Sequence, residues 1–172
     1  MAKNILIFTG NGKGKSTAAF GMTLRARGHD QRVFIIQFMK KDSAIGELVS
    51  LKKLGVEVEQ CGLGFVPRPD NPKYAEHRAA AQRGFERVRQ ILSAGTYDLV
   101  ILDEACGALA HGLLDEEALL QALNDAKEPV NIVLTGRNAS IGLRRIADTV
   151  SEIVHVKHAL DEGTAARKGI EF

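Results

Sequence analysis

The chain has no tryptophan, only two cysteines and four prolines, and aromatic residues at 5% of its 172 positions. Two cysteines this far apart, Cys61 and Cys106, make neither a disulfide framework nor a zinc cluster, so the expectation is two buried thiols in a reducing compartment, the cytoplasm. A strong charge of one sign is also missing. Lys and Arg number 23 against 21 Asp and Glu, a net +2, too little to coat a polyanion, so nucleic acid is not expected as a partner. The N-terminal apolar run, Ile5 to Phe8, is too short for a signal-peptide core or a membrane span, and no membrane association is expected. No Ser/His/Asp or Cys/His set can be placed, and the five histidines form no helix-spaced metal pair, so a protein nucleophile is not indicated.

What is present is an ordinary globular composition, 45% hydrophobic and 26% charged, in a chain long enough to bury roughly two-thirds of its unfolded surface as one domain, residues 1–172. Apolar runs of strand length alternate with helical stretches, the pattern of βα units stacked into a parallel sheet. Strands are expected over residues 4–9, 32–38, 56–61, 99–103, 131–135 and 151–156, and helices over 15–27, 45–54, 74–93, 116–126 and 140–147. The fold class is therefore α/β: a single domain with a mostly parallel six-stranded sheet and helices on both faces, which the glycine-rich run from Gly10 to Gly14 between the first strand and the first helix marks as P-loop NTPase-like. In the longest helix Phe85, Val88, Ile91 and Leu92 form an apolar stripe expected to face the core. Residues 62–72 hold three of the four prolines and must form an irregular loop, either a surface connector or a functional one.

The strongest local signal is Thr9-Gly10-Asn11-Gly12-Lys13-Gly14-Lys15-Ser16-Thr17, directly after an apolar strand and directly before a helix. That is the context of a phosphate-binding P-loop. Glycines let backbone N–H groups turn inward around phosphate oxygens, the helix adds its positive end, Lys15 neutralises charge, and the Ser16 hydroxyl can ligate Mg²⁺. The spacing is a variant: Thr9 stands where the first glycine of the general pattern belongs, and Gly10 comes one residue late. This weakens an inference to ordinary ATP hydrolysis more than one to triphosphate binding. A second apolar strand, Leu99 to Leu102, ends in Asp103 and Glu104, matching the acidic strand that P-loop proteins place beside the loop to hold Mg²⁺. Arg137 follows a third strand and emerges at the carboxyl edge, either as a phosphate contact or as an exposed loop arginine.

These residues resemble the P-loop type of ATP:corrinoid adenosyltransferases. Four blocks carry the likeness: Phe8 to Gly21, Leu99 to Glu104, Leu134 to Arg137, and Ala147 to Ala159 together with Gly169 to Phe172. The glycine variant belongs to that family's pattern. The resemblance implies transfer of the 5′-deoxyadenosyl group of ATP to the Co(I) centre of a reduced corrinoid, with release of triphosphate. In that chemistry the nucleophile is the corrinoid's cobalt, which agrees with the missing protein nucleophile. By the same resemblance, backbone N–H groups from Gly10 to Ser16, through Asn11, Gly12, Lys13 and Gly14, hold the triphosphate with Lys15, and Thr17 and Arg137 contribute. Arg25 contacts the nucleotide, Lys15 and Glu104 are the catalytic pair, and Ser16, Glu104 and Asp103 serve Mg²⁺. Phe65, in Gly64-Phe65-Val66-Pro67, matches the apolar wall that excludes cobalt's lower axial ligand, whereas a tryptophan of well-known members is Pro67 here. The chain also starts at its first strand, without the N-terminal extension that caps longer relatives. The resemblance further implies a cytoplasmic homodimer and a flavin-type or other reductant protein as electron donor. Two alternatives stay open at this point: a conventional P-loop ATPase or small kinase, and a catalytically weak ATP or corrinoid binder that delivers cofactor.

Overall fold

The computed structural model describes residues 2–41 and 45–170. Its strands are β1 (Asn4–Thr9), β2 (Val33–Gln37), β3 (Glu57–Gln60), β4 (Leu99–Asp103), β5 (Asn131–Thr135) and β6 (Thr149–Glu152). The helices are α1 (Lys15–Arg27), α2 (Gly46–Lys53), α3 (Tyr74–Ala94), α4 (Ala105–Ala110), α5 (Glu116–Asn124) and α6 (Ile141–Ile146), followed by a 3₁₀ turn at Ala159–Glu162.

Side chains of a strand alternate between faces, so a strand that is apolar throughout needs cover on both sides. The central strands meet that demand: β2, β4 and most of β5 are buried along their length. Ile5, Ile7, Phe34, Ile36, Val100, Leu102, Ile132 and Leu134 pack with residues of α3 to α6. Their neighbours Val33, Ile35, Leu99, Ile101 and Val133 pack on the other face with Ala19, Phe20 and Ala26 of α1 and Leu51 of α2. Helices thus cover both faces of one six-stranded sheet, in the order β3-β2-β4-β5-β1-β6, with every pairing parallel. The expected stripe of α3, Phe85, Val88, Ile91 and Leu92, is buried in this core.

All strands being parallel, their carboxyl ends share one edge, and the loops after β1, β2, β4 and β5 converge there. Two expectations need correction. The last strand runs over Thr149–Glu152 rather than 151–156, because its register with β1 ends where β1 ends, Thr9 opposite Glu152. The short helix α4 was not anticipated, since its sequence of small residues, Ala-Cys-Gly-Ala-Leu-Ala, carries no amphipathic period. Of the C-terminal block, Glu171 and Phe172 lie outside the described residues, as does Met1.

Candidate active site

The loop between β1 and α1 is shaped by glycine and pinned by the segment after β6. Gly10 has φ +97, and a Cβ there would lie 2.4 Å from the Ile153 carbonyl oxygen; one at Gly12 would lie 2.6 Å from that of Val154. Only glycine allows this close approach. The Ile153 N–H donates to the Thr9 carbonyl at 2.8 Å, and the Gly12 N–H donates to the Ile153 carbonyl at 2.8 Å. Gly12 therefore gives the loop room, but its N–H is already engaged, unlike the free donor expected of it. Gly14, at φ +115, has no side-chain cap and nothing within 4 Å of where a Cβ would stand, so the first N–H groups of α1 open into free space. An uncapped helix N-terminus is a ready anion site. Asn11 and Lys13 lie exposed on the loop, and Thr17 is exposed beside a separate hollow of about 530 Å³ between α1 and α2.

Lys15 is buried, its ammonium donating to the Gly12 carbonyl at 2.7 Å. Burial pulls its pKa down, the Glu104 carboxylate opposes that, and Arg137 adds to it. Asp103, fully buried at the end of β4, is the hub of the site. Its Oδ1 accepts from Ser16 Oγ at 2.6 Å and from Thr135 Oγ1 at 2.8 Å, and its Oδ2 accepts from Gln37 Nε2 at 2.8 Å. Lys40 Nζ lies 3.5 Å from Oδ2. A hydroxyl that donates its proton to a carboxylate keeps its lone pairs outward, so this bond leaves Ser16 Oγ free to accept a cation. The ends of β2 and β5 and the first turn of α1 are thereby tied to the carboxylate at the end of β4.

Glu104 holds the left-handed conformation, φ 60, at the turn from β4 into α4, with its N–H donating to Thr135 Oγ1 at 2.9 Å. Such a backbone is costly for glutamate and persists where neighbours fix it. Gly107 leaves space for the carboxylate, for a Cβ there would meet Glu104 Oε2 at 2.8 Å and Met39 Sδ at 3.2 Å. Burial pushes the Glu104 pKa up, Asp103 pushes it further, and Lys15, Lys40 and Arg137 oppose the rise. Arg137 is exposed, turned out by Gly136, whose φ of +132 brings the chain against the α4 backbone.

Next to this cluster opens a cavity of about 660 Å³, lined by Lys40, Glu104 and Arg137, which belong to the charged cluster, and by Met39, Lys41, Ile45, Glu47, Gly64, Phe65, Gly107 and His111. Phe65 is 96% exposed, although the loop that carries it is stapled down. The Cys61 N–H donates to Gln37 O at 3.1 Å, the Gly64 N–H to Met39 O at 3.1 Å, and Val66 is buried. A phenyl ring held in solvent on an anchored loop is what an apolar ligand surface requires.

Lys15, Ser16, Asp103, Glu104 and Arg137 are thus brought into one field, and Phe65 borders it across the cavity. Arg25 is not among them: it is exposed on α1 ten residues beyond Lys15, about 15 Å along the axis. Gln37, Lys40, Thr135, Met39 and His111 were missed by sequence reasoning. Only Thr135 had a signal, its place in the Leu134-Thr-Gly-Arg137 block. Among the described residues no cluster of three or more His, Cys, Asp and Glu side chains forms a metal site, and no helix is long and apolar enough to cross a membrane. Both cysteines are free thiols, and burial pushes each up to about 12, so neither supplies a thiolate.

The family described as ATP:corrinoid adenosyltransferase BtuR/CobO/CobP matches residues 2–172. The chain is 38% identical to a corrinoid adenosyltransferase of Escherichia coli (strain K12) over 98% of its own length and 85% of that protein's. It is 36% identical to one of Pseudomonas aeruginosa, over 98% and 83% of the two lengths. A further corrinoid adenosyltransferase, from a Sinorhizobium species, is 34% identical over 98% and 79%.

Proposed function

Because this chain belongs to the ATP:corrinoid adenosyltransferase family, we propose that its phosphate cluster and its adjoining cavity are the two halves of one active site. The protein is a transferase that adenosylates corrinoids with ATP. The reading of the site rests chiefly on one observation: Glu104, Lys40 and Arg137 belong both to the charged cluster around Asp103 and to the wall of a cavity that presents Phe65.

The triphosphate lies on the open N-terminus of α1, held by N–H groups of the loop from Lys13 to Ser16 and by the Lys15 ammonium, which leaves the Gly12 carbonyl to reach it. Arg137 closes on the same charge from the β5 side. The residues present fit Mg²⁺: the Ser16 hydroxyl, the Asp103 hub and the Glu104 carboxylate are hard oxygens, and a nucleotide-bound Mg²⁺ takes one or two carboxylates besides phosphates. Ser16 and Glu104 would hold the ion, and Asp103 would orient Ser16. Bound there, Mg²⁺ supplies stabilisation of charge on the departing triphosphate.

The reduced corrinoid occupies the cavity beneath Phe65. Its Co(I) lone pair attacks C5′ of ATP, the C5′–O bond breaks with its electron pair going to triphosphate, and a Co–C bond forms with cobalt becoming Co(III). The protein's part is to hold C5′ and cobalt in line and keep water out, for no side chain forms a covalent intermediate. Arg25, remote from the loop, is assigned to the nucleoside end. The whole chain, residues 1–172, acts as one domain, in the cytoplasm, as a homodimer, with electrons from a flavin-type or other reductant protein; the free thiols support the reducing compartment, and the family resemblance supports the rest.

The test is an anaerobic incubation with MgATP and chemically reduced cobalamin. A light-sensitive alkylcobalt spectrum is expected in the wild type and not in Lys15→Ala, whose fold stays intact. ADP and phosphate with an untouched corrinoid would refute the reading, and unchanged turnover in Lys15→Ala would remove Lys15 from it.

A further inference from the structure

Helix α4 carries a functional group at each end. Glu104 precedes its first residue, and His111 caps its last turn, seven residues and about 10 Å away. Both residues line the 660 Å³ cavity, as do Phe65 and Gly64. Of the other charged groups of the wall, which also include Lys41 and Glu47, Lys40 faces Asp103 at 3.5 Å, while Glu104 and Arg137 share the field of Lys15. His111 has no such assignment, and its imidazole is exposed.

Its backbone, by contrast, is fixed. The His111 N–H donates to the Gly107 carbonyl at 3.0 Å, and its carbonyl accepts from the Tyr74 hydroxyl at 2.8 Å. The next residue, Gly112, has φ +69, and a Cβ there would lie 2.9 Å from that hydroxyl. Tyr74 starts α3, directly after the loop that carries Phe65, so this clasp ties the backbone that bears His111 to the element that follows the Phe65 loop. An imidazole both donates and accepts, which suits the amide and carboxylate side chains that fringe a corrin macrocycle and has no use toward a triphosphate already met by cations.

Resting on the adenosyltransferase reading, we propose that His111 is a corrinoid-binding residue: its imidazole hydrogen-bonds the polar fringe of the macrocycle and sets which corrinoids the cavity accepts. One hydrogen bond of this kind corresponds to about a five- to tenfold change in affinity.

The test is an anaerobic titration of protein saturated with MgATP by cob(II)alamin, followed in the visible spectrum, together with steady-state kinetics. His111→Ala is expected to weaken cob(II)alamin binding and raise the corrinoid KM about five- to tenfold, with kcat and the ATP KM within twofold of wild type. His111→Gln, which keeps a donor and an acceptor, is expected to recover most of the loss, and His111→Phe is not. Wild-type affinity in His111→Ala, equal recovery by Phe and Gln, or an equal rise in the ATP KM would overturn the proposal while leaving the enzyme assignment standing. A wild-type protein that binds no corrinoid would overturn both.

Discussion

Asp103, at the end of β4, ties the ends of β2 and β5 and the first turn of α1 through one buried carboxylate, and its removal gives the most quantifiable perturbation. In Asp103→Ala, Ser16 Oγ, Thr135 Oγ1 and Gln37 Nε2 lose acceptors now at 2.6, 2.8 and 2.8 Å. Hydrogen bonds to a charged acceptor contribute about 1.5–3 kcal/mol each, and water entering from the cavity recovers part of that, leaving a net loss of roughly 3–5 kcal/mol. Lys40, one-third exposed, adds little. In a domain of this size the loss corresponds to a fall in Tm of roughly 10 °C. Asp103→Asn keeps the shape, but donors face both oxygens, so its amide NH₂ confronts a donor whichever way it turns, and a loss of about 2 kcal/mol is expected. Urea unfolding of both variants, with Ser16→Ala completing a double-mutant cycle, measures this. A loss under about 1 kcal/mol for Asp103→Ala, or no coupling between Asp103 and Ser16, would refute the hub.

Three further outcomes follow from the same geometry. Gly10→Ala puts a Cβ 2.4 Å from the Ile153 carbonyl at φ +97, so a Tm loss corresponding to about 2–3 kcal/mol and weakened ATP binding by calorimetry are expected; wild-type values would show the loop is not pinned there. Phe65→Ala, at a 96% exposed position, should change stability by under about 0.5 kcal/mol while raising the corrinoid KM about tenfold, and the reverse pattern would make Phe65 structural. The pKa of Glu104 is raised mainly by burial, so the native state binds more protons than the unfolded state above the ordinary carboxylate range, and stability falls as pH rises through that window. Glu104→Gln should therefore be at least as stable as wild type at neutral pH, with the difference vanishing below about pH 4, yet lose about a hundredfold in kcat; a neutral-pH Tm below wild type would contradict the burial argument.

Much of this was legible in the chain because local pattern and global fold agree. Every expected strand and helix has a counterpart, the last strand shifted to Thr149–Glu152, and two-sided burial of β2, β4 and β5 demands the apolar runs that the sequence displays there. The phosphate loop and the Asp103-Glu104 strand end were readable because strand, glycines, Lys15, Ser16 and helix must occur in fixed order along the chain. Gln37, Lys40 and His111 were not, because each reaches the site through long-range packing: Gln37 meets Asp103 only when β2 pairs with β4. The bond of the Gly12 N–H was not legible for the same reason, its partner Ile153 being far away in sequence. Helix α4 was missed because six small residues carry no periodic signal, although they let Glu104 and Gly136 pack so closely.

The central claim is that C5′–O, not a phosphoanhydride, is the bond that breaks. A single-turnover reaction with reduced corrinoid and ATP labelled at both C5′ and the γ-phosphate tests it most directly. The C5′ label is expected in the corrinoid in one-to-one ratio with γ-label recovered as intact triphosphate. Gamma label appearing as free phosphate, with C5′ label retained in ADP, would contradict the account.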